Sequence, residues 1–169
     1  MDLAEALETL APRLIAYGVA RTGSLPAAED VAQEALLALV RRWRKAGPPE
    51  SAAAFVFAIA RRRVRRVLAR RALMVPLDVL RGREARAPSV EEAYVTRAEL
   101  RSALTDLRAL PRRDREALLL RAIGGLSYEE ISSVGGSSVA AIKMRVSRAR
   151  RRLNEFQEEA NHGRRRQPA

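Results

Sequence analysis

An all-α fold is predicted for this chain: two small helical domains joined by a flexible linker, the second built around a helix-turn-helix. Three observations carry that prediction. Ala, Leu, Arg and Glu dominate and aromatic residues make up only 4% of the chain, a composition that favours helices because these side chains lose little freedom there. Apolar residues recur at spacings of three and four along most of the sequence. Between them, Val75 to Ser89 ("VPLDVLRGREARAPS") holds two prolines, a glycine and scattered charge with no sustained period, as a linker does. The boundaries are therefore a first domain over 1–74, a linker over 75–89, a second domain over 90–156 and a basic tail over 157–169.

The first helix spans Asp2 to about Arg21, with Leu3, Leu7, Leu10, Leu14 and Ile15 on one side and Pro12 as a possible kink. "TGSLP" breaks it. A second helix runs from Ala27 to Arg44: Val31, Ala35, Leu36, Leu39, Val40 and Trp43 share one face, and Glu29, Asp30, Gln33 and Glu34 share the other. After "KAGPPESAA", a third helix covers Ala53 to Leu73 with Phe55, Val56, Ile59, Ala60, Val64, Val67 and Leu68 as its apolar stripe. Beyond the linker, Val90 to Leu107 is amphipathic, and Pro111 suits the first turn of a helix that reaches Ala122 and stops at Gly124-Gly125. The final residues, "NHGRRRQPA", have the composition of a frayed tail.

Composition narrows the function classes. With nearly half its 169 residues apolar, the chain can bury a core. A formal charge of +12 and a pI near 11.4 point to a polyanionic partner, nucleic acid before membrane surface. There is no cysteine, which excludes disulfides and thiolate metal sites in this chain. The acidic N-terminus lacks a signal-peptide core and no stretch reaches the ~20 apolar residues of a membrane span, so a cytoplasmic location without membrane insertion is expected. No catalytic set emerges: the lone His162 has no nucleophile or metal partner in view, "GGSSVAAIK" lacks the ending of a phosphate-binding loop, and no metal or cofactor is expected.

The richest stretch is "YEEISSVGGSSVAAIKMRVSRARRRL", Tyr128 to Leu153. Ser127 and Glu130 form a capping-box pattern that starts a short helix, and Gly135-Gly136 ends it by supplying left-handed backbone geometry. Ser137 or Ser138 caps a second helix, along which Ile142, Val146, Ala149 and Leu153 form a packing face. The opposite face carries Ala140, Ala141, Met144, Ser147, Arg148 and Arg151, with Lys143 and Arg145 on its flanks. A short helix, a glycine turn and a second helix with a cationic, small-residue face make a helix-turn-helix; the alternative is a solvated basic helix. The first domain is also one-signed: eleven Arg or Lys lie between Arg41 and Arg71, opposed only by Glu50. Arg62, Arg65 and Arg66 project away from the third helix's apolar stripe, whereas Arg63 and Arg71 lie near its edge, to snorkel or to meet another surface. The acidic face of the second helix is either a dipole-stabilised first turn or a protein-binding patch.

These segments, in this order, resemble the extracytoplasmic-function (ECF) subfamily of bacterial sigma factors over about Leu7 to Leu153. "AEDVAQEALLALVRRW" is similar to that family's region 2.2, "FVFAIARRRVRRVLARR" to regions 2.3 and 2.4, and "LPRRDREALLLRAIGGLSYEEISSVGGSSVAAIKMRVSRARRRL" to region 4. The resemblance implies a sigma factor, not an enzyme, that binds core RNA polymerase through its β′ clamp and β subunits, directs it to promoter DNA, and is held by an anti-sigma factor. It implies polymerase contacts at Glu29, Asp30, Gln33, Glu34 and Leu37. It implies −10 element recognition and melting by the loop from Lys45 to Ala52 and by Arg61, Arg62, Arg65 and Arg66. It implies −35 recognition by Ala140, Ala141, Lys143, Met144, Arg145, Ser147 and Arg148, with Arg145 as a phosphate clamp or a shared contact. The family commonly has Trp at the place of Phe55, Asn at Arg62 and Asp at Arg66, so this −10 surface is the more cationic. The competing readings are a stand-alone helix-turn-helix regulator and a sigma-like mimic that never touches DNA.

Overall fold

The computed structural model describes the backbone of residues 2–73 and 92–165, and side chains over 2–73, 100–160 and at 162. Seven helices and no strand occur among them. α1 (Leu3–Thr22) opens with a capping box in which Asp2 accepts from the Glu5 N–H at 2.9 Å and the Glu5 carboxylate accepts from the Asp2 N–H at 2.8 Å. It continues through Pro12 without interruption and ends at Gly23, whose φ of 67° reverses the chain. α2 (Leu25–Ala46) starts from a Ser24 cap, and α3 (Ala52–Leu73) starts where Ser51 Oγ accepts from the Ala54 N–H at 3.1 Å.

These three helices enclose the first half of the core. Leu10, Leu14, Tyr17, Val31, Leu39, Val56, Phe57 and Val64 are buried there, and the Tyr17 and Phe57 rings meet edge to face with centroids 5.5 Å apart. α1 and α2 approach so closely that a Cβ on Gly18 would lie 2.7 Å from the Cα of Ala28. In the second half, α4 (Glu92–Ala109), α5 (Arg112–Ala122), α6 (Tyr128–Gly135) and α7 (Val139–Arg165) follow. Leu118, Leu119, Leu120, Leu126, Ile131, Ile142, Val146 and Ala149 are buried, the last three being stripe residues of the second helix of the turn motif.

Two boundaries differ from the sequence expectation in ways that bear on the sites. α2 runs through Lys45 to Ala46, so Lys45 lies in a last helical turn instead of opening the following loop. Basic residues there complement the helix dipole, and the helix stops only at Gly47, whose N–H reaches Trp43 O at 2.9 Å. α7 extends to Arg165, past the expected tail boundary at 157. Leu153 and Phe156 still pack against the core, and Arg151 pairs with Glu155 one turn on at 3.6 Å. The linker expected over 75–89 lies outside the described residues.

The two halves touch. Arg13 Nε donates to Ile123 O at 2.9 Å and Nη2 donates to Gly124 O, closing off carbonyls at the end of α5. Across the same seam Arg61 Nε meets Glu116 at 2.9 Å and Arg61 Nη1 reaches Val134 O at 3.0 Å. The buried Arg21 lies 3.8 Å from the same Glu116 carboxylate.

Candidate polymerase and nucleic-acid interfaces

On α2, apolar residues at helical spacing seat one face in the core, and the opposite face is thereby left in solvent. Glu29, Asp30, Gln33 and Leu37 are exposed along it. Leu37 is 47% exposed, a large apolar side chain set beside three polar ones. Glu34 is committed differently: its carboxylate lies 3.0 Å from Arg63 Nε on α3. The two candidate roles of Arg63 and Arg71 resolve into contacts of the fold, since Arg71 Nη1 donates to Thr22 O at 2.7 Å.

On α3 the burial of Ala60 and Val64 turns Arg62, Arg65 and Arg66 outward, and all three are exposed, as is Lys45 at the end of α2. Arg61 stands apart, because it is half-buried and held by Glu116 and Val134 O. The loop between α2 and α3 is likewise partnered. Pro49, Glu50, Ser51, Ala54 and Phe55 share a groove with Ser127, Glu129, Glu130 and Ser133 of the α6 end. A hydrogen bond from Ser51 is the main reason the Glu130 carboxyl is held below its usual range, with the Ser127 hydroxyl and backbone N–H adding to it against the opposing effect of burial.

The helix-turn-helix is built by four local devices. Ser127 Oγ accepts from the Glu130 N–H at 3.0 Å while Glu130 accepts from the Ser127 N–H at 2.7 Å. Gly136, at φ 66°, ends α6 with its N–H on Ser132 O at 2.8 Å. Ser132 Oγ donates to Ser137 O at 2.6 Å across the turn. Ser138 Oγ accepts from the Ala141 N–H at 3.2 Å and caps α7. With Ile142, Val146 and Ala149 buried, Ala140, Lys143, Met144 and Ser147 face solvent, and Ala141 is half-buried. Met144 is 58% exposed.

Arg145 and Arg148 are both braced. Arg145 Nη1 donates to Ser137 Oγ at 2.9 Å. Arg148 forks around the buried Asp114 of α5, with Nε at 3.1 Å and Nη2 at 2.9 Å, which strengthens its already high basicity. The fork leaves Nη1 and one Nη2 proton to reach outward. Arg121 and Lys143 both lie over the Tyr128 ring, 5.0 and 5.6 Å from its centroid.

Sequence reasoning missed Arg13, Arg21, Asp114 and Glu116. Their partners lie tens of residues away, so no local spacing reveals them; the one available signal was that Asp114 and Glu116 are carboxylates in an otherwise basic stretch. Among the described residues no group of three or more His, Cys, Asp or Glu could hold a metal ion, and no helix is long and apolar enough to cross a membrane.

Comparison with known proteins matches this arrangement in both halves. The family model for Sigma-70 region 2 matches residues 6–73, and that for Sigma-70 region 4 matches residues 101–153. The ECF RNA polymerase sigma factor SigD of Mycobacterium tuberculosis is 33% identical over 162 residues, covering 90% of this chain and 76% of its own. The ECF RNA polymerase sigma factor EcfG of Rhodopseudomonas palustris is 31% identical over 144 residues, covering 85% and 78%. Among solved structures, the sigma factor RpoE of Bartonella quintana, in complex with the anti-sigma factor NepR, aligns with a TM-score of 0.69 at 25% identity, over 92% of this chain and 96% of that one. With its two matched regions, their order and its relatives along most of their length, the chain belongs to the ECF family of RNA polymerase sigma factors.

Proposed function

We propose that this sigma factor grips core RNA polymerase through the α2 face of Glu29, Asp30, Gln33 and Leu37, and that Glu34 contributes once Arg63 yields it. The observation that carries this reading is an acidic face with an exposed leucine, left in solvent on an otherwise basic domain. A clamp-like polymerase surface offers both an apolar contact and basic partners to such a face.

Promoter contacts divide between the domains. Lys45, Arg62, Arg65 and Arg66 hold the −10 strand by its phosphates, joined by Arg61 when Glu116 releases it, and the α2–α3 loop receives a displaced base. In the second domain α7 enters the major groove of the −35 element. Ala140 and Ala141 allow close approach, Arg145 holds phosphate, and Lys143, Met144, Ser147 and Arg148 face base edges. Met144, apolar and exposed, suits a thymine methyl. The protein acts in the cytoplasm, does no covalent chemistry of its own, and is controlled by an anti-sigma factor. That control is supported by its likeness to RpoE bound to NepR.

Replacing Asp30 and Gln33 by Ala and Glu29 by Arg tests the α2 assignment. Copurification with core polymerase should fall, while duplex DNA binding by the full chain persists; undiminished copurification would refute it.

A further inference from the structure

A cavity of about 380 Å³ lies in the seam between the halves, where α3 faces α5 and the α6–α7 turn. Arg61 and Arg65 line it from α3, Arg113 and Glu116 from α5, and Ser137 and Arg145 from the turn and α7. Four guanidinium groups thus share this space with one carboxylate, and that carboxylate is already taken by Arg61 at 2.9 Å. Arg65 and Arg113 are exposed and make no hydrogen bond or ion pair with other described residues. Deeper in the seam, Arg21 Nε and Nη1 and the Tyr17 hydroxyl are buried without a hydrogen-bond partner. Negative charge is therefore scarce beside the arginines of this interface.

Like charges gathered in a partly enclosed space repel, and a multivalent counter-ion removes that repulsion. Guanidinium forks match phosphate oxygens in geometry as well as charge. The volume falls within the range of about 300 to 1,000 Å³ seen for small-molecule sites. A DNA duplex cannot enter a space of this size while the domains are together. We propose that this cavity binds a small free anion carrying a chain of phosphates, which bridges the two domains and stabilises their closed arrangement. Arg65 and Arg113 supply the contacts from opposite walls, and Arg145 closes the third side.

Sodium tripolyphosphate is the probe, titrated calorimetrically into the full chain without divalent cations, with adenosine triphosphate and orthophosphate in parallel. Tripolyphosphate should bind at one site and raise the melting temperature with concentration. Arg65→Ala and Arg113→Ala should each weaken binding about tenfold or more, since each removes a charge-assisted hydrogen bond. Arg70→Ala, the same charge change outside the cavity, should leave it unaltered. Tighter binding of the nucleotide would identify a nucleotide's phosphate chain as the source, and equal or weaker binding a free polyphosphate. No saturable binding, or equal losses in Arg70→Ala and Arg113→Ala, would overturn the proposal. Arg113 has no part in the polymerase or promoter contacts assigned above, so anion binding and transcription can fail independently.

Discussion

At the scale of single residues, Gly18 shows how a fold can depend on a missing side chain. A Cβ there would meet both the Cα and the Cβ of Ala28 at 2.7 Å, and backbone does not yield as a flexible side chain does. Gly18→Ala should therefore destabilise the protein by about 1 to 3 kcal/mol despite the gain in helix propensity, read as a lower denaturation midpoint in urea; an unchanged or higher midpoint would show that the helices move apart without cost. Nothing in the spacing of "LIAYGVART" marks this glycine, because the helix it touches is known only once α1 and α2 are packed. Arg148 is the opposite case. Its place on the outer face of the second helix was legible from periodicity, but its clasp on Asp114 was not, since the two are separated by α6 and the turn. Arg148→Ala should cost about tenfold or more in binding to a cognate −35 duplex while sparing random duplexes. Equal losses on both would assign it to phosphate or to the fold.

At the scale of elements, the helix-turn-helix was the most legible part of the chain. Capping and turn formation are local, so Ser127, Glu130 and Gly136 announce them within a few residues. The same serine and glutamate make a pH-dependent joint. Because hydrogen bonds from Ser51 and Ser127 hold the Glu130 carboxyl below its usual range, its stabilisation is full above the unfolded value of about 4.3 and is lost as pH falls through the lower folded value. Thermal melts between neutral and acidic pH should show this loss in the natural protein, and Glu130→Gln should be less stable at neutral pH with a flatter acid limb. Parallel curves for the two proteins would contradict the assignment. The end of α7 was less legible. Arg and Gly near the terminus suggested fraying, whereas Leu153 and Phe156 anchor the helix to the core, a tertiary effect that outweighs local propensity.

At the scale of the whole molecule, the domains and their order could be read from the sequence, but not the seam that joins them. Arg13, Arg21 and Arg61 of the first half converge on the α5 and α6 ends of the second, with Glu116 as the shared carboxylate. Glu116→Gln keeps the shape and removes the charge that pairs Arg61 with the buried Arg21. It should loosen the coupling of the halves, so that a single calorimetric unfolding transition broadens or splits in two; an unaltered transition would mean that the seam adds nothing to cooperativity. Promoter-directed initiation remains the central claim, and reconstituted transcription with core RNA polymerase on a fragmented genomic library tests it most directly. Addition of this protein should yield transcripts from a discrete set of start sites sharing −35 and −10 elements, lost together when Glu29, Asp30 and Gln33 are replaced. Core polymerase that binds the protein yet starts at no defined site would contradict the account and favour a sigma-like mimic.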